Sequence, residues 1–250
     1  MMGELKDILS EEFDQELKSK IEHFSSYPEM IPFVGKKWHD SKKVLLLGES
    51  HYLPYADVQS DTNFDYLKHW YEGNSKSFKQ QVHRDYLNTR NNVKSVEFDK
   101  PTGPLLLYFN LKRALLETSY FESTESVFDK FSFYNYFQRP AVVKEKGHED
   151  RSIILNDKDG PFAHSTLIKV IEIISPKYVI FSSVKSYDAF MAIENKEKTP
   201  SLDMVVIDFV PHAGKQWWSM ESNRYATKDG KKRKGKDKFV DLINEIFKES

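Results

Sequence analysis

Lys43-Val44-Leu45-Leu46-Leu47-Gly48-Glu49-Ser50-His51-Tyr52 is the stretch that decides how the rest of the chain is read. Val44 to Leu47 is an unbroken apolar run, the pattern of a strand buried on both faces inside a parallel sheet. Gly48 permits a sharp exit from that strand. Glu49, Ser50, His51 and Tyr52 then fall just beyond its carboxyl end, the edge at which open α/β sheets bind ligands. A core strand followed by an ordinary polar loop fits this stretch as well, so the decision rests on what surrounds it.

Outward from this run, strands and helices alternate. Leu5, Leu9, Phe13, Leu17, Ile21 and Phe24 step along one helical face, which predicts an amphipathic helix over residues 4–25. Pro32 to Gly35 reads as a turn leading into the first strand. Residues 53–102 are polar, irregular and aromatic, and read as a helical insertion over the carboxyl end of the sheet, with short helices near 63–72 and 76–88. The insertion is either a wall facing a substrate or a satellite packing layer. Pro104 opens a helix whose buried stripe is Leu107, Leu111, Ala114 and Leu115. Lys130 to Tyr136 is the second strand, and residues 141–162 read as a polar loop. Ser165 caps a helix carrying Leu167, Val170, Ile171 and Ile174. Tyr178 to Phe181 is the third strand, Met204 to Val210 the fourth, and Phe239, Leu242, Ile243, Ile246 and Phe247 mark the last helix. The expectation is a single α/β domain over residues 1–250, three-layer α/β/α, with a four-stranded parallel sheet in the order second, first, third, fourth.

Composition narrows the chemistry. The 250 residues suit one sizeable domain, and the net charge of −1 shows no global basic bias, so any nucleic-acid surface is local. Cysteine is absent, which excludes disulfides, thiolate nucleophiles and cysteine-ligated metals and fits a reducing cytoplasm. Met1 to Ser10 lacks a long apolar core, and no run approaches the roughly 20 apolar residues of a membrane span. Lys228 to Lys238 is a basic run that reads as a mobile loop before the last helix, either solvated or facing phosphate.

Three strand ends carry the polar residues of interest: Gly48 to Tyr52, Tyr134-Asn135-Tyr136-Phe137-Gln138-Arg139-Pro140, and Val210-Pro211-His212-Ala213-Gly214. In a parallel sheet these ends share one edge, so an acid, an amide and a histidine would converge there. A histidine after a strand is commonly structural, but an amide within an aromatic strand needs partners for its donors and acceptor.

In order, spacing and context these motifs resemble the uracil-DNA glycosylase superfamily from about Pro32 onward, with residues 53–102 matching poorly. Members carry a glycine-led motif such as GQDPY or GEAPG after the first strand, and Gly48-Glu49-Ser50-His51-Tyr52 is similar. Phe133-Tyr134-Asn135 with Arg139-Pro140 looks like the second-strand TN and RP of some members. His212-Ala213-Gly214 stands where members have HPS. The resemblance implies that a flipped-out base enters the pocket. It implies that Asn135 pairs with the base edge, Tyr52 walls off the base, and His51 and Phe64 lie against it. Glu49 and Ser50 would serve the attacking water and the cationic sugar, and His212 the developing base oxyanion. Trp217 or Trp218 would wedge the duplex, and Arg224, Arg139 and the basic run would hold phosphates. Three differences stand out: Ser50 replaces an Asp or Asn, His51 a Pro, and Ala213-Gly214 the Pro-Ser. DNA is the expected partner, with no membrane, no cofactor, no metal and a monomeric chain. Two other readings compete: a base-binding or nucleic-acid-binding module of the same fold without hydrolysis, and a metal-dependent hydrolase on Glu49, His51 and His212, whose spacing matches no strong metal motif.

Overall fold

The computed structural model describes residues 8–54, 70–72, 81–98, 105–122, 126–143 and 153–248. Its centre is a mixed five-stranded sheet in the order β1 (Phe33–Val34), β4 (Phe131–Asn135), β2 (Val44–Gly48), β6 (Tyr178–Phe181) and β7 (Val206–Phe209). β4, β2, β6 and β7 pair in parallel, and β1 lies antiparallel on β4, with Phe33 opposite Phe133. A four-stranded, all-parallel sheet is therefore not what forms. Pro32 to Gly35 contributes a fifth, antiparallel edge strand instead of a turn. Two ladder residues are too few for an alternating pattern to show, and Ser132 fixes them by donating its hydroxyl to the Phe33 carbonyl at 2.7 Å.

Alternation along the strands feeds two separate cores, one on each face. Leu45, Leu47, Tyr134, Val179 and Phe181 pack beneath α1 (Asp14–Lys20), α2 (Glu22–Ser26), the helix Asp159–Ile174 and the helix Val184–Glu194. Val44, Leu46, Phe131, Phe133 and Ile180 pack beneath Thr89–Phe98, Leu106–Leu116 and Gly235–Lys248. Helices thus cover both faces of the sheet. In chain order after α2 they are α3 (Gln81–Leu87), α4 (Thr89–Phe98), α5 (Leu106–Leu116), α6 (Asp159–Ile174), α7 (Val184–Glu194) and α8 (Gly235–Lys248). Each fully buried Leu, Ile, Val or Phe contributes about 1.5–3 kcal/mol.

The helical readings hold best where the apolar stripe is long. Leu107, Leu111, Ala114 and Leu115 are all buried, as are Phe239 and Ile243. The amino-terminal helix does not run unbroken over residues 4–25. Residues 8–10 are extended beside β1, with Leu9 bridged to Gly35, and Ile21 leaves the helical region at φ −122° and ψ 93°. Residues 4–7 of that reading lie outside the described residues. Helix α6 starts at Asp159 and not at Ser165, because Asn156 Oδ1 accepts the N–H groups of Lys158 and Asp159 at 2.9 and 3.1 Å. Inside the supposed loop 141–162, β5 (Ala141–Val143) pairs in parallel with β3 (Tyr52–Pro54). Lys228–Lys238 is a structured segment: β8 (Glu221–Ser222) pairs with β9 (Arg233–Lys234), and α8 follows at once.

At the β7 edge, Asp208 Oδ1 accepts the Phe209 N–H at 2.6 Å, and Lys238 Nζ donates to Asp208 Oδ1 at 2.6 Å and to the Phe209 carbonyl at 2.5 Å. At the opposite side, Gly35 is where the chain leaves β1. A Cβ there would stand 2.2 Å from the Asp129 carbonyl oxygen and 2.5 Å from that of Phe128, both backbone atoms that cannot yield cheaply. Gly35→Ala is expected to destabilise the fold by about 1–3 kcal/mol through overpacking. A urea midpoint equal to that of the parent protein would show that β1 can shift without cost.

Candidate active site at the carboxyl edge of the sheet

The loops after β2 and β4 leave the sheet side by side. The carbonyls of Gly48, Glu49 and His51 accept N–H groups of Tyr136, Phe137 and Ala141 at 3.1, 2.9 and 2.7 Å. Parallel pairing thereby continues past the strand ends and fixes the order Gly48 to Tyr52 against Asn135 to Ala141. Asn135 is the last residue of β4 and is in register with Gly48. After β7, the turn His212 to Lys215 closes through Lys215 N–H to the His212 carbonyl at 2.9 Å, and α5 clamps it by Asn110 Nδ2 donating to the Ala213 carbonyl at 2.7 Å.

These ends line one cleft of about 400 Å³, with Ser50, His51, Tyr52, Asn135 and His212 among its walls. The opposite wall is Asp85, Tyr86, Asn92, Leu105, Leu107 and Tyr108, from α3, α4 and the start of α5. Sequence reasoning placed Leu107 in the core and left Asp85, Tyr86, Asn92 and Tyr108 without a role. For Asp85, Tyr86 and Asn92 the signal was the reading of the insertion as either a substrate-facing wall or a packing layer, and these three do line the cleft. Trp70, also from the insertion, packs inward instead: it stacks on Tyr27 at 4.2 Å and donates Nε1–H to the Gln138 carbonyl. Phe64 lies outside the described residues.

The histidines of the cleft are neutral. Burial lowers His212 to about 4, against the pull of the Glu49 charge and with help from Lys215. Gly214 N–H donates to His212 Nδ1 at 3.0 Å, so the proton of the neutral ring sits on Nε2. Gly214 makes room for this: a Cβ there would lie 3.1 Å from the ring. Burial lowers His51 to about 4 as well, opposed by a hydrogen bond to the Tyr86 backbone. Asn135 Nδ2 and Thr89 Oγ1 both lie 3.2 Å from His51 Nε2, and since an amide nitrogen only donates, Nε2 is the acceptor. Burial raises the Tyr108 hydroxyl well above its ordinary range, opposed by the amides of Asn135 and Asn92. Ser50 is buried and its Oγ has no hydrogen-bond partner.

Glu49 sits behind this lining. Its Oε2 accepts the Ser183 hydroxyl at 2.9 Å and its Oε1 the Ile153 N–H at 3.3 Å. Ser183 is the N-cap of α7, so the carboxyl group lies at the positive end of that helix. Among the described residues no group of three or more His, Asp or Glu side chains could hold a metal ion.

The expected DNA-contacting residues divide. Arg139 is buried and not a surface cation: Nε and Nη2 bond the two carboxylate oxygens of Asp159 at 2.9 and 2.6 Å, and Nη2 also reaches the Ile154 carbonyl. Burial opposes the Arg139 charge, and Asp159 more than restores it. Trp218 is buried against Phe239 and cannot act as a wedge, whereas Trp217 is 42% exposed. Arg224 is exposed but paired with Asp188 and laid over the Phe209 ring. Within the basic run, Arg233 pairs with Asp241 and Lys236 with Glu117. Among the described residues no helix is long and apolar enough to cross a membrane. No family model matches the chain, and a search of curated proteins returned no significant match.

Two outcomes follow from this geometry. Arg139→Met leaves the fully buried Asp159 carboxylate without its counter-charge, held only by the Tyr71 hydroxyl and the Asn156 N–H, and is expected to cost about 3–5 kcal/mol, read from the urea midpoint. A variant as stable as the parent would show that Asp159 finds other partners. His51 and His212 are held near 4, and burial lowers His23 further, to about 3. Each binds its proton more readily in the unfolded chain, so stability is fully present above about 6.5 and is lost as pH falls toward 4. Each group contributes a slope of up to about 1.4 kcal/mol per pH unit in that window. Chemical denaturation at pH 7, 6 and 5 checks this, and a flat profile would mean that the rings are protonated in the fold.

Proposed function

We propose that the chain is a hydrolase of N-glycosyl bonds that removes uracil or another deaminated base from DNA. The observation that carries this reading is the meeting of Asn135, Ser50, Tyr52 and His212 in one cleft, with His212 neutral and its proton on Nε2. We read the parallel strands β4-β2-β6-β7 as the expected order second, first, third, fourth, with β1 added at one edge. This agrees with the resemblance to the uracil-DNA glycosylase superfamily.

The residues divide the work as follows. The base leaves the stack and enters the cleft, where Asn135 pairs with its edge and Tyr52 closes one side. The C1′–N bond breaks and its electron pair goes to the base, whose carbonyl oxygen gains negative charge. His212 Nε2–H donates a hydrogen bond to that oxygen, and a neutral ring does so without handing over a full positive charge. The Glu49 carboxylate lies beside His212 electrically and offsets the positive charge of the sugar. Water adds its oxygen to C1′ and its proton passes to the departing base, while Glu49 acts through its charge from behind the lining. Ser50 Oγ is unbonded and available to hold that water. Trp217 is the exposed aromatic just past His212 and is the remaining candidate for the duplex wedge.

A second reading has its own support. Ser50 brings no carboxylate, and both Glu49 oxygens already accept hydrogen bonds, which favours a base-binding module without hydrolysis.

Single-turnover incubation with uracil-containing oligonucleotides, protein in excess and abasic sites scored, separates the two. Slow excision is expected, and His212→Ala should lose about 100- to 1000-fold, or about 2.7–4 kcal/mol of barrier lowering. Background rates for both proteins on uracil, hypoxanthine and xanthine substrates would remove the hydrolase and leave the binding module.

A further inference from the structure

Position 51 is where the resemblance fails most plainly, since a histidine replaces the proline of the glycine-led motif. The structure gives this histidine a bonded environment on every side. The Tyr86 backbone of α3 hydrogen-bonds the ring, Thr89 Oγ1 at the start of α4 lies 3.2 Å from Nε2, and Asn135 Nδ2 lies 3.2 Å from the same atom. The ring is buried at 3% exposure, so water does not substitute for any of these partners.

We infer that His51 is a positioning residue that locks the Asn135 amide in one of its two orientations and thereby makes the cleft accept a deaminated base over its amino parent. The inference rests on the base-pocket reading above. Its logic is that of a one-way bond. Asn135 Nδ2 can only donate, so the Nε2 it faces carries the lone pair and Nδ1 carries the proton, on the side left for the Tyr86 backbone. Turning the amide over would set Oδ1 against that lone pair and press the NH2 group toward Gly48. Gly48 offers Oδ1 its space: a Cβ there would stand 2.2 Å from that oxygen.

The locked amide fixes what a ligand edge must provide. Oδ1 accepts, so it needs an N–H, and the second Nδ2 hydrogen, which a ligand would draw away from the Tyr108 hydroxyl, donates, so it needs a carbonyl beside that N–H. Uracil carries a ring N–H next to a carbonyl. Cytosine carries the reverse, a ring lone pair next to an amino group, and would need the inverted amide. An amide free to turn pairs with either base. Held by His51, it pairs with one.

The test reads base preference and the bond separately. Binding of free uracil and free cytosine is measured by titration calorimetry or NMR for the parent, His51→Phe, His51→Gln and Thr89→Val. Phe fills the space without an acceptor, and Thr89→Val disturbs the same nitrogen without touching the amide. The parent should prefer uracil, His51→Phe should reduce that preference by about tenfold or more, His51→Gln should recover part of it through the glutamine oxygen, and Thr89→Val should keep it. Independently of any variant's folding, 15N NMR of the parent should show a coupling across the hydrogen bond between Asn135 Nδ2 and His51 Nε2. A missing coupling, a parent without preference for uracil, or a His51→Phe variant with the parent's preference each overturns the inference. A protein that prefers uracil in binding yet excises none fails the hydrolase reading and keeps the lock.

Discussion

Nothing larger than a hydrogen fits at position 48, and much of the molecule depends on that absence. Gly48 ends the central strand in register with Asn135, whose amide oxygen occupies the volume a side chain would take. The same amide bonds His51, which bonds the backbone of α3 and the hydroxyl at the start of α4. A contact between two neighbouring strands therefore also places the far wall of the cleft. Fold and site meet at one atom pair, and a fault there would reach both.

The cleft joins buried polar groups that are satisfied with groups that are not. His51 and Asn135 hold their partners, whereas Ser50 Oγ holds none. An unmet buried hydroxyl costs stability, and a cost of this kind is retained where a ligand or water supplies the missing bond. Glu49 is the counterpart: it is fastened at the amino end of α7 and acts on His212 through its charge. The negative charge is thus held still next to the ring that faces the cleft, which is the arrangement expected of preorganised electrostatics.

What the chain disclosed in advance follows from the range of each interaction. The strands Val44–Gly48 and Tyr178–Phe181 are read from continuous apolar runs, and α5 and α8 from long stripes, because local periodicity reports burial directly. Asn135 and His212 were legible because they sit at strand ends, where topology brings them to one edge. Arg139 and Trp218 were misread as surface groups because their partners, Asp159 and Phe239, come from other elements. β1 escaped notice because two residues carry no period. The start of α6 was misplaced because the side chain that gathers its first N–H groups is Asn156, three residues ahead of the helix and inside a polar stretch that hid it. Asp85, Tyr86 and Asn92 were hidden in the same way, since a polar helix gives no sign of which face meets a pocket.

The end of β7 bears on how this protein lives among copies of itself. β7 is the last strand on its side and half-exposed, with Val206 open to solvent at 59%. A bare strand edge offers its peptide groups to any other extended chain. At Phe209 both peptide groups are already engaged, the N–H by the neighbouring Asp208 carboxylate and the carbonyl by Lys238 reaching across from α8. An incoming strand that reached Phe209 would have to displace an ion pair to bond there. The basic run that looked like a grip for phosphate therefore supplies, in Lys238, a latch over the last outward-facing peptide groups of that edge.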